Sequence, residues 1–203
     1  YSANQSAAEA LATDVQRNDV FTYRITDGSA TATATLTITV TGVNDAPVAV
    51  DDTDSVNENE TVTKTGSQND VLNDDTDTDT SASLSVSNIS HTNGNSGSVS
   101  SSSTYNSSGT QIVGTYGTLT IGADGSYSYA ADQTAADSIA AGASETDVFT
   151  YTLTDGTATD TATLTITVSG KNDTPAGVDD TDSVNEDATV TKTGSEDDVL
   201  NDD

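Results

Sequence analysis

The stretch TATATLTITV (Thr31–Val40) alternates threonine with an apolar residue at every position. Successive side chains of a β-strand point to opposite faces, so the apolar residues share one face and the threonines share the other. The preceding run, Phe21-Thr-Tyr-Arg-Ile25, alternates in the same way, and Thr26-Asp-Gly28 between the two runs is a turn signal. We therefore predict a half-buried β-hairpin.

The hairpin pattern returns about 128 residues later, at residues 148–168. The same offset aligns residues 1–75 with residues 129–203, and two thirds of the aligned positions are identical. Such identity at a fixed period predicts tandem repeats. We place the domain boundaries at the two prolines, which gives the C-terminal part of one repeat (1–47), a complete repeat (48–175) and the N-terminal part of the next (176–203).

A second hairpin is predicted inside the complete repeat, where residues 117–121 and 126–129 alternate on either side of the turn signal Gly122-Ala-Asp-Gly125. Weaker strands are predicted near residues 61–65 and 83–89, and a helix signal covers residues 133–141. About seven short strands predict an all-β fold of tandem antiparallel β-sandwich repeats of about 128 residues. The residues predicted to face inward in the second hairpin are Leu119, Ile121, Tyr127 and Tyr129.

Residues 90–111 break the alternation with a run rich in serine and glycine. This composition is typical of a mobile surface insertion between strands. A second interpretation is a glycan-bearing tip, because Asn88 and Asn106 match the glycosylation acceptor pattern.

The charge balance is strongly acidic, with 33 Asp and Glu against 5 Lys and Arg and a net charge of -28. Two carboxylates about 4 Å apart in water repel each other by roughly 1 kcal/mol, so this density destabilises a compact chain unless cations gather on it. The charge disfavours binding to nucleic acid, and no apolar run of about 18 residues is present for membrane insertion. Cysteine is absent, which excludes disulfides and thiolate metal sites.

Many of the acidic residues lie in a segment that occurs twice, at residues 41–60 and 169–188. Calcium takes six to eight oxygen ligands in a flexible geometry, so we predict Ca²⁺ at the domain junctions. Pro47 keeps the first segment extended, so that ligands from both sides of the boundary can converge. The alternative is a solvated acidic linker that confers solubility. The candidate ligands are Asn44, Asp45, Asp51, Asp52, Asp54 and Glu58 in the first copy, and Asp173, Asp179, Asp180 and Glu186 in the second.

A further acidic cluster spans residues 69–79 and carries acids at alternating positions. An EF-hand is rejected because, counting from Asp75, Thr80 stands in place of the required glycine and Val86 in place of the glutamate. A different calcium loop is predicted, with Asp70, Asn73, Asp75 and Asp77 as ligands. Three other aspartates, Asp27, Asp124 and Asp155, are interpreted as turn formers.

Catalysis finds little support in the sequence. His91 is the single histidine, lies in the serine-rich run and is expected to be exposed. Without a second histidine or a cysteine there is no nucleophile and base pair, so we predict no catalytic residues and no enzyme activity. Glycosidases use a pair of carboxylates, and this chain has many, so its residue types alone do not exclude glycosidase activity.

Several motifs of the chain resemble the bacterial VCBS repeat: Gly117–Ile121, Asp124–Tyr129, Asp147–Tyr151, Thr154–Gly156 and Gly170–Pro175. The acidic half, residues 50–77, resembles the cadherin-like strands of giant bacterial adhesins. The resemblance implies an Ig-like or cadherin-like extender stalk of a secreted adhesin or biofilm matrix protein, with calcium at the junctions. It also implies an extracellular location at the bacterial cell surface.

We therefore expect a non-enzymatic, calcium-stiffened structural repeat. Its expected partners are the neighbouring repeats of the same chain and other copies in a fibre. One alternative is a self-assembling filament subunit that exchanges strands between chains. Another is a carbohydrate-binding module, although seven Tyr, two Phe and no Trp make a poor platform for stacking sugars.

Overall fold

The alternating threonine and apolar runs form two long antiparallel hairpins. The first pairs β1 (Gln16–Thr26) with β2 (Thr31–Thr41), and the second pairs β10 (Ser144–Thr154) with β11 (Thr159–Ser169). The structure is a computed structural model that describes residues 1–66 and 70–191. These residues belong to two units, Tyr1–Lys171 and Asn172–Asp203, and the described part of the second unit, 172–191, contains no helix or strand.

The second hairpin belongs to a β-sandwich, so the all-β prediction is confirmed. Besides the two hairpins, the described residues form α1 (Ser6–Glu9), β3 (Asp52–Asn57), β4 (Thr61–Lys64), β5 (Ser85–His91), β6 (Ser96–Ser98), β7 (Thr110–Val113), β8 (Thr118–Ile121), β9 (Tyr127–Ala130) and α2 (Thr134–Asp137). The five-stranded sheet has the order β3-β11-β10-β5-β6, and the four-stranded sheet has the order β4-β9-β8-β7. The two short helices lie outside these sheets.

One pairing differs from the predicted antiparallel arrangement, because β3 runs parallel to β11. The chain turns after β3 and enters the opposite sheet as β4, which pairs with β9. The first strand of the repeat therefore lies beside the last one in the same direction. This parallel pair places the start and the end of the repeat at opposite ends of one sheet.

The core lies between the two sheets and is built from the apolar faces of the alternating strands. Leu164, Ile166 and Val168 of β11 are fully buried. The four residues predicted to face inward in the β8–β9 hairpin are all buried, as expected: Leu119, Ile121, Tyr127 and Tyr129.

The first hairpin carries the same apolar face without a covering sheet among the described residues. Phe21 is 44% exposed and Leu36 is 52% exposed, whereas their repeat equivalents Phe149 and Leu164 are fully buried. The predicted half-buried hairpin is therefore confirmed for β10–β11, whereas for β1–β2 the strand pairing is confirmed and the apolar face is exposed among the described residues. Pairing of the two strands depends on local alternation, but burial requires the opposite sheet.

Replacing Leu164 by Ala should destabilise the domain by about 2–5 kcal/mol, because it leaves a cavity between the sheets. The matched control is Leu36→Ala, the same residue of the repeat on the exposed hairpin, which should change stability by less than about 0.5 kcal/mol. Chemical denaturation of the two variants measures both effects. Equal effects would contradict this description of the core.

Part of the serine-rich run belongs to the sandwich, so its prediction as an insertion between strands is wrong for residues 96–98. Residues 96–98 form β6 beside β5, and Val99 is buried. Serine, glycine and asparagine hide the apolar alternation on which the prediction relied, while the backbone still pairs. His91, expected to be exposed, is buried at the end of β5.

The other local predictions have mixed outcomes. The helix signal over 133–141 produces only the single turn α2. The turn-forming role is confirmed for Asp27 and Asp155, whose Oδ1 atoms accept bonds from the backbone N–H groups two and three residues ahead. It is also confirmed for Asp124, which accepts a bond from Ser126 N–H. The proline boundaries at 47/48 and 175/176 stay a prediction.

Candidate metal centre

The predicted ligands of the Tyr1–Lys171 unit do not gather at one point. The structure distributes them over three places, named here by position. The N-terminal junction lies where residues 10–13 meet the sandwich, the interior cluster lies beneath β3, and the C-terminal rim lies where β11 ends. Their members are Asn44, Asp45, Asp77, Asp79 and Asp155 at the junction; Asp52, Asp70, Asp75 and Tyr151 in the interior cluster; and Glu58, Glu60 and Lys171 at the rim.

At the N-terminal junction, hydrogen bonds connect the linker, which is the segment that contains Asn44 and Asp45, to the sandwich. The backbone N–H of Asp45 donates to Asp79 Oδ2 at 2.9 Å, and Asn44 Nδ2 donates to Asp155 Oδ2 at 2.9 Å. The N–H of Asp79 donates to Asp77 Oδ1 at 2.7 Å. From the preceding segment, Thr13 Oγ1 donates to Asn44 Oδ1 at 3.4 Å. The junction therefore brings together oxygen atoms from both sides of the domain boundary.

Two carboxylate oxygens at this junction are buried without a partner, namely Asp77 Oδ2 and Asp79 Oδ1. A pocket of about 220 Å³ lies beside Asp79, and Thr13, Asn44 and Asp155 also line it. A buried carboxylate oxygen that has lost water and gained no hydrogen bond is costly. Carboxylate, amide and carbonyl oxygens are the ligands that a hard, oxygen-seeking metal ion prefers, so the donor types at this junction fit such an ion.

The carboxylates do not form a complete set of metal ligands by themselves. Across residues 1–66 and 70–191, no group of three or more Asp, Glu, His or Cys side chains is placed to hold a metal ion. Asp77 and Asp79 would thus need amide and backbone oxygens as further ligands, and Asn44 supplies an amide at this junction. Calcium accepts such mixed oxygen sets more readily than magnesium does.

The interior cluster surrounds the hydroxyl of Tyr151. This oxygen lies 2.8 Å from Val50 O, 3.0 Å from Val71 O, 3.1 Å from Asp52 Oδ2 and 3.3 Å from Asp75 Oδ1. One hydroxyl proton cannot serve four acceptors, so a second proton or a cation is favoured here. Burial, together with the nearby charges of Asp74, Asp75 and Asp70, raises the pKa of Asp52 to about 7 despite the Tyr151 hydrogen bond.

This raised pKa predicts a pH-dependent stability. The folded-state pKa of Asp52 lies above its unfolded value of about 3.9, so the folded state holds the proton more tightly and loses stability as pH rises from about 4 to 7. We expect Asp52→Asn, which mimics the protonated form, to lack this loss and to melt a few degrees higher at pH 8, where 1 kcal/mol corresponds to about 2–4 °C for a unit of this size. Thermal melts in chelator between pH 4 and 8 measure it, and parallel profiles for both proteins would contradict the prediction.

The remaining predicted ligands of the first acidic segment bond to the sandwich itself. Asp51 Oδ1 accepts from the N–H and hydroxyl of Thr163 at 2.8 and 2.9 Å. Asp54 Oδ2 accepts from the Tyr127 hydroxyl at 2.9 Å and lies 3.5 Å from Lys64 Nζ. In the second cluster, Asp70 accepts bonds within its own loop, at Oδ1 from Leu72 N–H and at its carbonyl oxygen from Asn73 N–H. Asp75 Oδ1 accepts from Val50 N–H.

The C-terminal rim lies at the other end of the sheet. Glu58 is 1% exposed, its N–H donates to Ser169 O at 2.9 Å, and its Oε1 accepts from the N–H of Lys171. Its Oε2 is buried without a partner. β11 has eleven residues, so roughly 30 Å separates Glu58 from the Asn44–Asp155 contact. Asn44 and Glu58 therefore cannot bind one ion, although the sequence places them in one segment.

The second acidic segment belongs to the Asn172–Asp203 unit. Its candidate ligands are exposed, and Asp173 O accepts a hydrogen bond from Asn172 Nδ2 at 2.9 Å. Their role as ligands stays a prediction. Residues 192–203 of the predicted next repeat, and Asn69 of the second acidic cluster, lie outside the described residues. The candidate ligands of this segment are Asp173, Asp179, Asp180 and Glu186.

Asp147 is a buried polar centre that the sequence reasoning missed. Its carboxylate accepts from the Tyr129 hydroxyl at 2.7 Å, from His91 Nε2 at 2.8 Å, and from three backbone N–H groups, those of residues 115–117, at 2.9–3.2 Å. Burial alone raises the pKa of Asp147, but these hydrogen bonds outweigh it and hold the pKa below its usual range. The signal was an aspartate at an inward position of β10, in alternation with Phe149 and Tyr151.

Both ring nitrogens of His91 form hydrogen bonds within the protein. Its Nδ1 accepts from the N–H of Asn93 at 3.1 Å, so the neutral ring carries its proton on Nε2 and donates to Asp147. Asp79 was also missed as a junction residue, although the alternation Asp77-Thr-Asp79 was visible.

Comparison with known proteins gives one family match and several remote structural matches. A family model described as a bacterial cadherin-like domain matches residues 44–170. The solved structures include an endo-fucoidan hydrolase of glycoside hydrolase family 107 and a variant of that enzyme, each 20% identical with a TM-score of 0.34. Each match covers 80% of this chain, which spans about a fifth (19%) of the hydrolase chain. No curated protein matches the chain. Within its described part, no helix has the length and apolar character needed to cross a membrane.

Proposed function

The chain belongs to the bacterial cadherin-like domain family through residues 44–170, and from this premise we propose that it is a calcium-stiffened structural repeat of an extracellular bacterial adhesin or matrix fibre. Family membership indicates an extracellular structural or adhesin repeat. The finer role follows from the acidic residues, which a passive spacer would not need to bury. Its work would be to extend a stalk and to keep consecutive domains aligned.

The observation that carries the proposal is the pair of buried, unpartnered oxygens Asp77 Oδ2 and Asp79 Oδ1 at the N-terminal junction. Asp79 also accepts a bond from the linker residue Asp45. A cation held by Asp77 and Asp79 together with Asn44 would therefore couple the linker to the sandwich. When bound, calcium would supply the positive charge that this part of the chain lacks.

The hydrogen bonds around this pair already fix where the linker meets the domain. The Asn44 side chain bridges Thr13 on one side of the boundary and Asp155 at the β10–β11 turn on the other. The N–H of Thr80 donates to Ala10 O at 3.1 Å, which adds a second contact across the boundary. Metal binding would strengthen contacts that exist without it, and so reduce bending at the joint.

Calorimetric titration of the chain with calcium tests the proposal. We expect Asp77→Asn/Asp79→Asn to lose at least one bound calcium, because calcium affinity depends on the number of charged ligands. The matched control is Asp137→Asn/Glu145→Gln, which removes two exposed carboxylates away from the junction and should leave calcium binding unchanged. No uptake by the wild-type chain, or equal uptake by both double variants, would overturn the assignment.

A further inference from the structure

The C-terminal rim carries a lysine, Lys171, at a position where the preceding copy of the segment has an uncharged residue. Lys171 aligns with Val43 at the repeat offset, within the otherwise similar segments Gly170-Lys-Asn-Asp173 and Gly42-Val-Asn-Asp45. Its ammonium forms an ion pair with Glu60 Oε1, and its N–H donates to Glu58 Oε1. The residue that enters the linker is thus fixed to two glutamates of its own domain.

Only one of the two glutamates is also present in the next copy of the segment. Glu58 aligns with Glu186, whereas Glu60 aligns with Ala188. The glutamate that contacts the end of β11, Glu58, therefore occurs in both aligned copies. The lysine ammonium and its partner Glu60 occur together only in the complete repeat. The Lys171–Glu60 pair is therefore a local addition to a common feature.

Glu58 is a buried carboxylate with one oxygen that has no hydrogen-bond partner. It is 1% exposed, and its Oε2 has no partner, while Glu60 Oε2 accepts from Asn57 Nδ2 at 2.9 Å. The hydrogen bond and charge of Lys171 lower the pKa of Glu60, as expected for a carboxylate kept ionised by a nearby cation. The rim therefore holds two carboxylates and one tethered cation.

We propose that Lys171 is a built-in competitor of calcium at the C-terminal rim, which occupies Glu60 with its ammonium and lowers the metal affinity of Glu58. This inference rests on the proposed calcium function. The rim of the complete repeat therefore needs more calcium to load than a rim with valine at that position, where no ammonium pairs with the glutamate.

Lys171→Val, which installs the residue of the other junction, tests the inference in the full chain. We expect calcium affinity at the rim to rise about two- to fivefold, since a partly exposed ion pair contributes up to about 1 kcal/mol. The backbone amide signals of Glu58 and Gly170, followed by NMR during a calcium titration, give the local affinity. Lys171→Arg retains the cation and should behave like the wild type.

A double-variant cycle identifies the carboxylate that is released. In the Glu60→Ala background, Lys171→Val should raise affinity less than in the wild type, because Glu60 is no longer there to bind the metal. An unchanged rim affinity in Lys171→Val, with calcium still bound elsewhere, would overturn this inference alone. Absence of any calcium binding in all variants would instead overturn the proposed function.

Discussion

Asp147→Ala is expected to leave the domain largely unfolded at room temperature. The substitution removes one buried carboxylate that accepts five hydrogen bonds, from Tyr129, His91 and three consecutive backbone N–H groups. Each donor left buried and unpaired costs about 1–3 kcal/mol, and a domain of this size is stable by only about 5–15 kcal/mol. Several such losses together remove most of that stability.

The repeat provides the matched control for this prediction. Asp19 is the equivalent of Asp147 in the first hairpin, is exposed, and accepts a single bond from the Tyr1 hydroxyl at 3.2 Å. Asp19→Ala should therefore change stability by less than about 0.5 kcal/mol. Circular dichroism melts of the two variants compare them directly. A cooperative, wild-type melt for Asp147→Ala would show that the carboxylate is not the centre of this end of the sandwich.

Local alternation predicted the hairpins correctly because strand formation depends on neighbouring residues. The run Thr31–Val40 and its copy in β11 both form strands, and the inward residues of β8–β9 are buried as expected. Burial of β1–β2 and the pairing of His91 with Asp147 could not be read in the same way. Burial of a hairpin depends on which sheet covers its apolar face. The hydrogen bond between His91 and Asp147 joins residues that lie 56 positions apart in the sequence.

The acidic segments were recognisable as metal-binding candidates from residue type, but their grouping was not. Sequence proximity placed Asn44 and Glu58 in one ligand set, and the extended strand β3 carries Glu58 to the far end of the sheet. Asp51, Asp52 and Asp54 lie on or beside that strand, and their carboxylates bond to the sandwich that contains it. Asp79 and Asp155 enter the junction through turns whose positions only the fold determines.

Removal of calcium is expected to have the second large effect, on the alignment of consecutive domains. If each junction site has a dissociation constant tenfold below the calcium concentration, each contributes about 1.4 kcal/mol. Without the metal, Asp77 and Asp79 keep buried, unpartnered oxygens and repel each other, so the junction should open and the linker at Asp45 should move. Magnesium should restore little, because it requires a tighter octahedron of ligands.

The same loss should follow from substitution in the presence of calcium. Asp77→Asn/Asp79→Asn removes the charges that would attract the ion, and it leaves the hydrophobic core of the sandwich intact. The variant should therefore keep the wild-type strand content while its domains bend about Pro47. Its behaviour in calcium should match that of the wild-type protein in chelator.

Small-angle X-ray scattering of a recombinant chain of several tandem repeats, with calcium and with excess chelator, tests the calcium-stiffened joint most directly. We expect an extended rod in calcium, and a shorter maximum dimension with a flexible profile in chelator. We expect the Asp77→Asn/Asp79→Asn chain to show the flexible profile even in calcium. A wild-type chain that stays equally extended in chelator, or a double variant that stays rigid in calcium, would show that the acidic junction is a solvated linker.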